Sequence, residues 1–447
     1  MMNDYIKDRV PRLNNATYES FVDGVLTTLS LLLGFFSTIA LVRIAAISLY
    51  VWLMAITAVI LIVSCRFRLR ITAFHLVWIS AIITFALNQS ALSEAWGQNN
   101  FNGLMAITLV ALVADTLFAV PNRVEAFLKG VLAASKVQIV WIFVQFLLYR
   151  LLGIDINDLL FTNVFNMVET ASQYKATGMV ATGLCWNAGG IAAALLAQFA
   201  LGDKGYWRIL CIIACLLTQN STVIIGLVII MAFKVFLLFN RRRTFYISRS
   251  TLLVVGTILV MIAAMLVCVP AFSHAAETVF DTLLGRIQML LGLSDYDSSF
   301  IAHQDYYLNL PFLVEEMTPL QFLFGYGIDC SGLPYTELTS QYWWMESWFV
   351  ESDPMNSFLG MGLVGMLSIY LFLFGVVRKA WGSNRIASLL VVVFIICGVF
   401  YDVQSVLYYW LFMFEICLSR LQGCDMSSNS QASSKSFRLM INGTRQC

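Results

Sequence analysis

The chain has 447 residues, of which 60% are hydrophobic and only 12% charged, with a mean hydropathy of +0.80. Soluble domains carry about 25% charged residues, so this composition excludes a water-soluble globular protein and implies a polytopic membrane protein. The net charge of +1 selects no partner, but the distribution of the charges is informative.

In hydrocarbon every backbone polar group must be satisfied internally, which leaves helices or a closed barrel. The apolar runs are about 20 residues long and show no period-2 alternation, which favours helices. Nearly all of the ten Cys lie inside apolar runs or on the side assigned to the cytoplasm, and only Cys330 sits well inside a long external segment. That argues against a disulfide framework and for cysteines used as small buried residues.

Residues 1–20, MMNDYIKDRVPRLNNATYES, are polar and lack the pattern of a cleaved signal peptide, so they read as a cytoplasmic N-terminus and the first span as the insertion signal. Twelve spans follow, at roughly 21–42, 45–64, 71–88, 104–120, 126–149, 179–201, 206–218, 221–239, 250–270, 355–377, 386–400 and 403–420. With the N-terminus inside, 22 of the 27 Lys and Arg fall in cytoplasmic segments, as the positive-inside rule requires. Both termini are therefore expected in the cytoplasm. The chain divides into a nine-helix region (21–270) with an external loop at 150–178, a large external segment (271–353), three C-terminal helices (354–421) and a Ser-rich tail (422–447) expected to be disordered. The 271–353 segment carries 12 acidic residues against one basic residue, Arg286. Loops this long without a function are uncommon.

The few external cations invite explanation. Arg150 ends a span, Lys175 precedes "ATGMVATGLCWNAGG", and Arg286 follows "DTLLG". Such groups suit phosphate oxygens; they serve equally as surface charges or ion-pair partners. Of the three histidines, His75 reads as a packed helix residue and His274 as solvated. His303 stands among Asp295, Asp297 and Asp305, either as a general base or as a salt-bridged loop residue. There is no HExxH, CxxC pair or DxD, so no metal site is indicated. Lys136, inside a span, needs a partner, a wet cavity or a snorkelling route. Asn187, with Gly183, Gly189 and Gly190, marks a helix that others approach closely. The stretch "QYWWMESWFVES" offers Trp343, Trp344 and Trp348 either to the outer interface, as an amphipathic helix, or to stacking on sugar rings. In "ESDPMNSFLGMGLVGML", Pro354 can open a helix with Asp353 as its N-cap, which places Asn356 in the first turn; a catalytic role for Asp353 is the alternative.

Together these stretches resemble the superfamily of O-antigen polymerases and O-antigen ligases, the Wzy-like enzymes of bacterial surface polysaccharides. "KATGMVATGLCWNAGG" matches in Lys175, Gly178 and Asn187, and "LLTQNSTVIIGLVII" resembles a polar break, with Ser221–Thr222 where Ser-Arg is frequent. The large external segment matches in Arg286, Ser298, Ser299, Gly325 and Gly327, with His303 near the place of a second Arg. "SDPMNSFLGMGLVGM" resembles a His-Asn-x-x-Leu entry: Asn356, Leu359, Gly362 and Gly365 fit, while Met355 stands at the His position. The ligase branch relies on that His, so Met355 favours the polymerase.

The resemblance implies an all-α, GT-C-like enzyme of the bacterial inner membrane. It would join repeat units carried on undecaprenyl pyrophosphate into O-antigen, capsule or exopolysaccharide at the periplasmic face. Arg286 and Lys175, with Arg150 third, would hold the pyrophosphate. His303 or Asp353 would act as base or orient the acceptor, Asn356 would hydrogen-bond substrate, and Trp343, Trp344 and Trp348 would stack on sugar or rest at the interface. No cofactor, metal or nucleic acid is implied, and a chain-length regulator is expected by analogy. A ligase acting on lipid A–core and a secondary transporter are the alternatives.

Overall fold

The computed structural model describes residues 15–39, 42–44, 47–64, 72–160, 183–185, 188–202, 205–218, 220–240, 304–339, 350–382, 384–400 and 407–418. Helix α1 (Asn15–Thr38) leads through a two-stranded ribbon, β1 (Arg43–Ile44) and β2 (Ile47–Ser48), into α2 (Leu49–Val63). Then come α3 (Phe74–Asn88), α4 (Glu94–Leu117), α5 (Pro121–Leu152) and the single turn α6 (Ile156–Leu159). Three helices follow, α7 (Ala188–Leu201), α8 (Tyr206–Leu217) and α9 (Ser221–Asn240). The 271–353 segment holds α10 (Leu310–Glu316), α11 (Pro319–Phe324) and α12 (Gly332–Thr339), and the chain continues through α13 (Asp353–Trp381), α14 (Arg385–Phe400) and α15 (Leu407–Leu418).

Among the described residues, four helices are long and apolar enough to cross a membrane: Tyr18–Thr38, Glu94–Leu117, Pro121–Tyr149 and Asp353–Trp381. Six shorter apolar helices pack around them. Exposed faces carry Ile56, Val59, Ile62 and Val63 on α2 and Leu367, Leu371 and Phe374 on α13, as surfaces solvated by lipid do. The chain is a helical, membrane-embedded protein.

Among the described residues two cores are present. The large one joins α1–α5 with α7–α9 and α13–α15. The small one joins Tyr306, Leu313, Tyr335 and Val350 to Met355, Phe358 and Leu359 at the N-terminal end of α13. In the large core the most extensive pairing is α1 with α5. Gly34 meets the Phe127 carbonyl and Gly130 meets the Leu31 carbonyl so closely that a Cβ at either would overlap backbone. Small residues draw membrane helices together in this way. At one end of the pair, Arg123, its side chain 4% exposed, donates to Asp23 at 2.5 Å.

Four expectations change. The first two spans are separated by the β1–β2 ribbon, and α2 begins at Leu49 instead of 45. Helix α4 begins at Glu94, ten residues before the expected 104, because the polar stretch EAWGQNNFN is helical with Trp96, Gly97, Asn100 and Gly103 buried. The sixth span does not run from 179: residues 183–185 are non-helical, Gly183 has φ 65°, and the helix starts at Ala188. Side chains of α5 take up the freed backbone, with Gln138 Oε1 accepting from Leu184 N (2.6 Å) and Gln145 Oε1 from Gly183 N (3.1 Å). Asn157 Nδ2 donates to the Gly183 carbonyl (3.0 Å). Non-helical backbone at membrane depth is tolerated where protein buries it in this manner. The tenth span, α13, is longer than the expected 355–377 and is broken at Gly362 (φ 69°, ψ −174°). The expected ninth span (250–270), most of the N-terminus and the tail lie outside the described residues.

Candidate functional site

The break in α13 is filled by the loop Gly325–Cys330. An α-helix interrupted at one residue leaves carbonyls of the preceding turn without their i+4 partners. Here the Leu359 carbonyl accepts from Tyr326 N and the Gly360 carbonyl from Gly327 N, both at 2.9 Å. Glycine is required on both sides. Gly325 (φ 70°) and Gly362 (φ 69°) are left-handed, and a Cβ on either would run into backbone of the other segment. Two more helices fix the loop. Thr84 of α3 donates to the Phe324 carbonyl (2.9 Å), and Asn100 Oδ1 of α4 accepts from Ile328 N (2.8 Å). Cys330 Sγ donates to the Trp96 carbonyl (3.3 Å). The loop is delivered by α11, which starts at a capping box between Thr318 and Gln321, a reciprocal pair of bonds that satisfies two orphan donors.

Beside this junction lies a cavity of about 70 Å³ between α4, α13 and α15. Its walls are apolar at Ile107, Met361, Ile369 and Trp410 and polar at Asp329, Asn356 and Ser357, with Gly103 and Gly360 letting backbone form part of the lining. A cavity of this size admits water when polar partners line it. Asn356 sits in the first turn of α13. Ser331 Oγ donates to its Oδ1 at 2.6 Å, and Val350 N donates to Ser331 Oγ at 2.9 Å. This chain fixes the amide orientation and leaves Nδ2 as the donor that can serve a ligand. Asp329 has φ 55° and is the only non-glycine with positive φ among the described residues. Gly103 makes room for Ile328 and Asp329 together, since a Cβ there would run into Ile328 Cγ2 and stand 2.8 Å from Asp329 Oδ2.

Near the junction and in the small core, burial raises the pKa of a thiol and two phenols. Burial pushes the Cys330 thiol up to about 12, with Asp329 adding to the rise. It pushes the Tyr335 phenol up to about 12 as well, against the opposing hydrogen bond from Asn309. Tyr307 is raised by burial and by Asp353, against the opposing bond to Ser352.

The residues singled out by sequence are distributed as follows. Asn356 lines the cavity, and Gly325, Gly327, Leu359 and Gly362 build the junction beside it. Asp353 is 1% exposed and packs against Gly398 of α14 outside the cavity lining. It is the first residue of α13, not its N-cap; Ser352 holds that place (φ −153°, ψ 118°), and its hydroxyl bonds Tyr307 OH (2.7 Å) instead of capping. Met355 is buried in the small core. Arg150 lies in the last turn of α5. Lys136 Nζ stands 5.6 Å from the Trp207 ring centre, a cation–π contact that answers its place inside a span. His75 Nδ1 accepts from Thr72 N at 3.1 Å. Lys175, Asn187, Arg286, His303, Trp343, Trp344 and Trp348 lie outside the described residues and side chains. Among the described residues no group of three His, Cys, Asp or Glu is placed to hold a metal ion.

Sequence reasoning passed over Asp329, Asn100 and Gly103. The spacing of Trp96, Asn100 and Gly103 at helical intervals in a stretch taken for a loop was the available signal. Compared with known proteins, the chain matches no protein-family model and no curated protein.

Proposed function

We propose that this chain is a polysaccharide polymerase of the bacterial inner membrane, with twelve spans in a GT-C-like arrangement and both termini cytoplasmic. It would join oligosaccharide repeat units carried on undecaprenyl pyrophosphate by periplasmic glycosyl transfer. The observation that carries the reading is the meeting of two separate stretches of the resemblance. The Gly325-x-Gly327 loop is hydrogen-bonded to the helix that begins with Asn356 and contains Leu359 and Gly362, and both stretches border one cavity. A glycosyl transfer needs a donor or acceptor group to orient the attacking hydroxyl and positive charge for the leaving pyrophosphate. Asn356 Nδ2 is suited to the first task. Arg286 and Lys175, with Arg150, are assigned the second, and Trp343, Trp344 and Trp348 the stacking of sugar. Met355, packed in an apolar cluster where a ligase would use His, favours polymerase over ligase.

Deleting the gene tests the reading. A polymerase mutant carries surface glycan of one repeat unit; a ligase mutant carries none attached; an unchanged ladder of chain lengths rejects both. A secondary transporter is the second reading, favoured by the helix broken at Gly362 and the unwound backbone at 183–185, since transporters bind substrate at discontinuous helices. Solute uptake by proteoliposomes, with no glycan elongation, would decide for it.

A further inference from the structure

Among the described residues, one carboxylate lines the cavity beside the α13 break, and we infer that Asp329 is the general base that deprotonates the acceptor hydroxyl. The inference rests on the polymerase reading. Three observations converge on it. Asp329 lines the cavity together with Asn356 and Ser357, so a hydroxyl seated there meets a carboxylate, an amide and a hydroxyl on one wall and Trp410 among the apolar lining. Its left-handed backbone (φ 55°) is costly for any residue with a side chain and persists where the surroundings over-determine it. Those surroundings are explicit: Gly327 N and Ile328 N are bound to Gly360 and Asn100, Cys330 Sγ is bound to Trp96, and Gly103 lacks the Cβ that would crowd the carboxylate. The other acidic candidate in the described residues, Asp353, faces Gly398 and does not line the cavity.

The step balances without a cofactor. The acceptor sugar oxygen forms a bond to the anomeric carbon of the donor. The bond from that carbon to the pyrophosphate oxygen breaks, and its electron pair leaves on the lipid pyrophosphate. The hydroxyl proton passes to a carboxylate oxygen of Asp329, which later returns it to water. Asn356 Nδ2 holds the acceptor in place.

The test uses the deletion strain complemented with wild type, Asp329→Asn or Asp329→Gly, reading the surface-glycan ladder, with the thermal midpoint of each purified protein in detergent. Asn and Gly accept a left-handed backbone at least as well as Asp, and Asn keeps the size and shape of the side chain, so Asp329→Asn is expected to melt at or near the wild-type temperature. Loss of a general base costs 10²–10⁴-fold in rate; the expected result is therefore a collapse to single repeat units, at least about 100-fold fewer elongated chains. A full ladder from Asp329→Asn, in a strain whose deletion abolishes it, overturns the role of Asp329 and leaves the polymerase reading standing. A full ladder in the deletion strain itself overturns both. Loss of the ladder together with a lowered midpoint in both variants makes Asp329 a structural residue and overturns the inference.

Discussion

Between α1 and α5, Gly34 and Gly130 let two intact helices touch backbone to backbone; between the 325–330 loop and α13, Gly325 and Gly362 bring chains equally close, but there the helix opens. In the first contact each carbonyl keeps its own helical partner, and the glycines serve only to shorten the distance. In the second, the glycines are left-handed, and Leu359 and Gly360 give their carbonyls to Tyr326 and Gly327. Close approach alone makes a seam. Close approach joined to a left-handed residue makes an opening, and the polar groups of the cavity stand at it.

The sharpest way to break this comparison is Gly362→Ala. Left-handed strain of about 1–3 kcal/mol adds to about 1–3 kcal/mol for displacing the Leu323 backbone, a loss of about 4 kcal/mol in all and a sharp fall in monodisperse protein. Gly375→Ala, in the same helix with nothing within 4 Å, is the control, expected to change stability by less than about 1 kcal/mol. Equal effects of the two on the thermal midpoint would contradict the account. Next comes Gly130→Ala, which drives a Cβ into the Leu31 carbonyl and should cost about 1–3 kcal/mol without touching glycan chain length. Gly24→Ala in α1 meets nothing and should gain about 0.5–1 kcal/mol. The last effect is a pH dependence that appears only in alkali and is carried by two buried groups, Cys330 and Tyr335. The folded-state pKa of Cys330 lies above its ordinary value of 9.0, and that of Tyr335 above 10.0, both at about 12. Folded protein therefore holds protons that unfolded chain releases, so this stability is complete below pH 9 and lost as pH rises from 9 to 12. Alkylation of Cys330 at pH 8 should lag far behind that of a cysteine placed on the surface; matching rates would remove the thiol from the buried seat described.

The apolar runs announced the helices because lipid rewards a continuous hydrophobic stretch whatever its tertiary contacts. For the same reason they hid the interruptions. Nothing in "GMVATGLCWNAGG" marks residues 183–185 as unwound; the sign lies on another helix, where Gln138 and Gln145 stand seven residues apart on one face of α5. Hydropathy misread 94–103 the opposite way, since a stretch that packs against the 325–330 loop through Asn100 and Gly103 can be polar and still helical. Asn356 and the two glycine pairs were legible as a pattern, but the pairing of 326–327 with 359–360 was not, because backbone-to-backbone bonds carry no side-chain signature. Asp329 was one of twelve acids in its segment, and only its backbone angle and the space at Gly103 distinguish it.

The position of Gly362 along its helix also sets a depth. From Leu363 to Val377, just before the paired charges Arg378 and Lys379, the helix rises about 22 Å, less than the roughly 30 Å thickness of bilayer hydrocarbon. With those charges at one hydrocarbon boundary, the break falls short of the opposite headgroups, and Asn356, six residues and about 9 Å farther along, reaches their level. In the proposed reaction a molecule with a lipid tail and a sugar head reaches such a cavity from the side. Its tail stays among the acyl chains and its sugars stay in water, so neither end changes solvent to meet the other substrate.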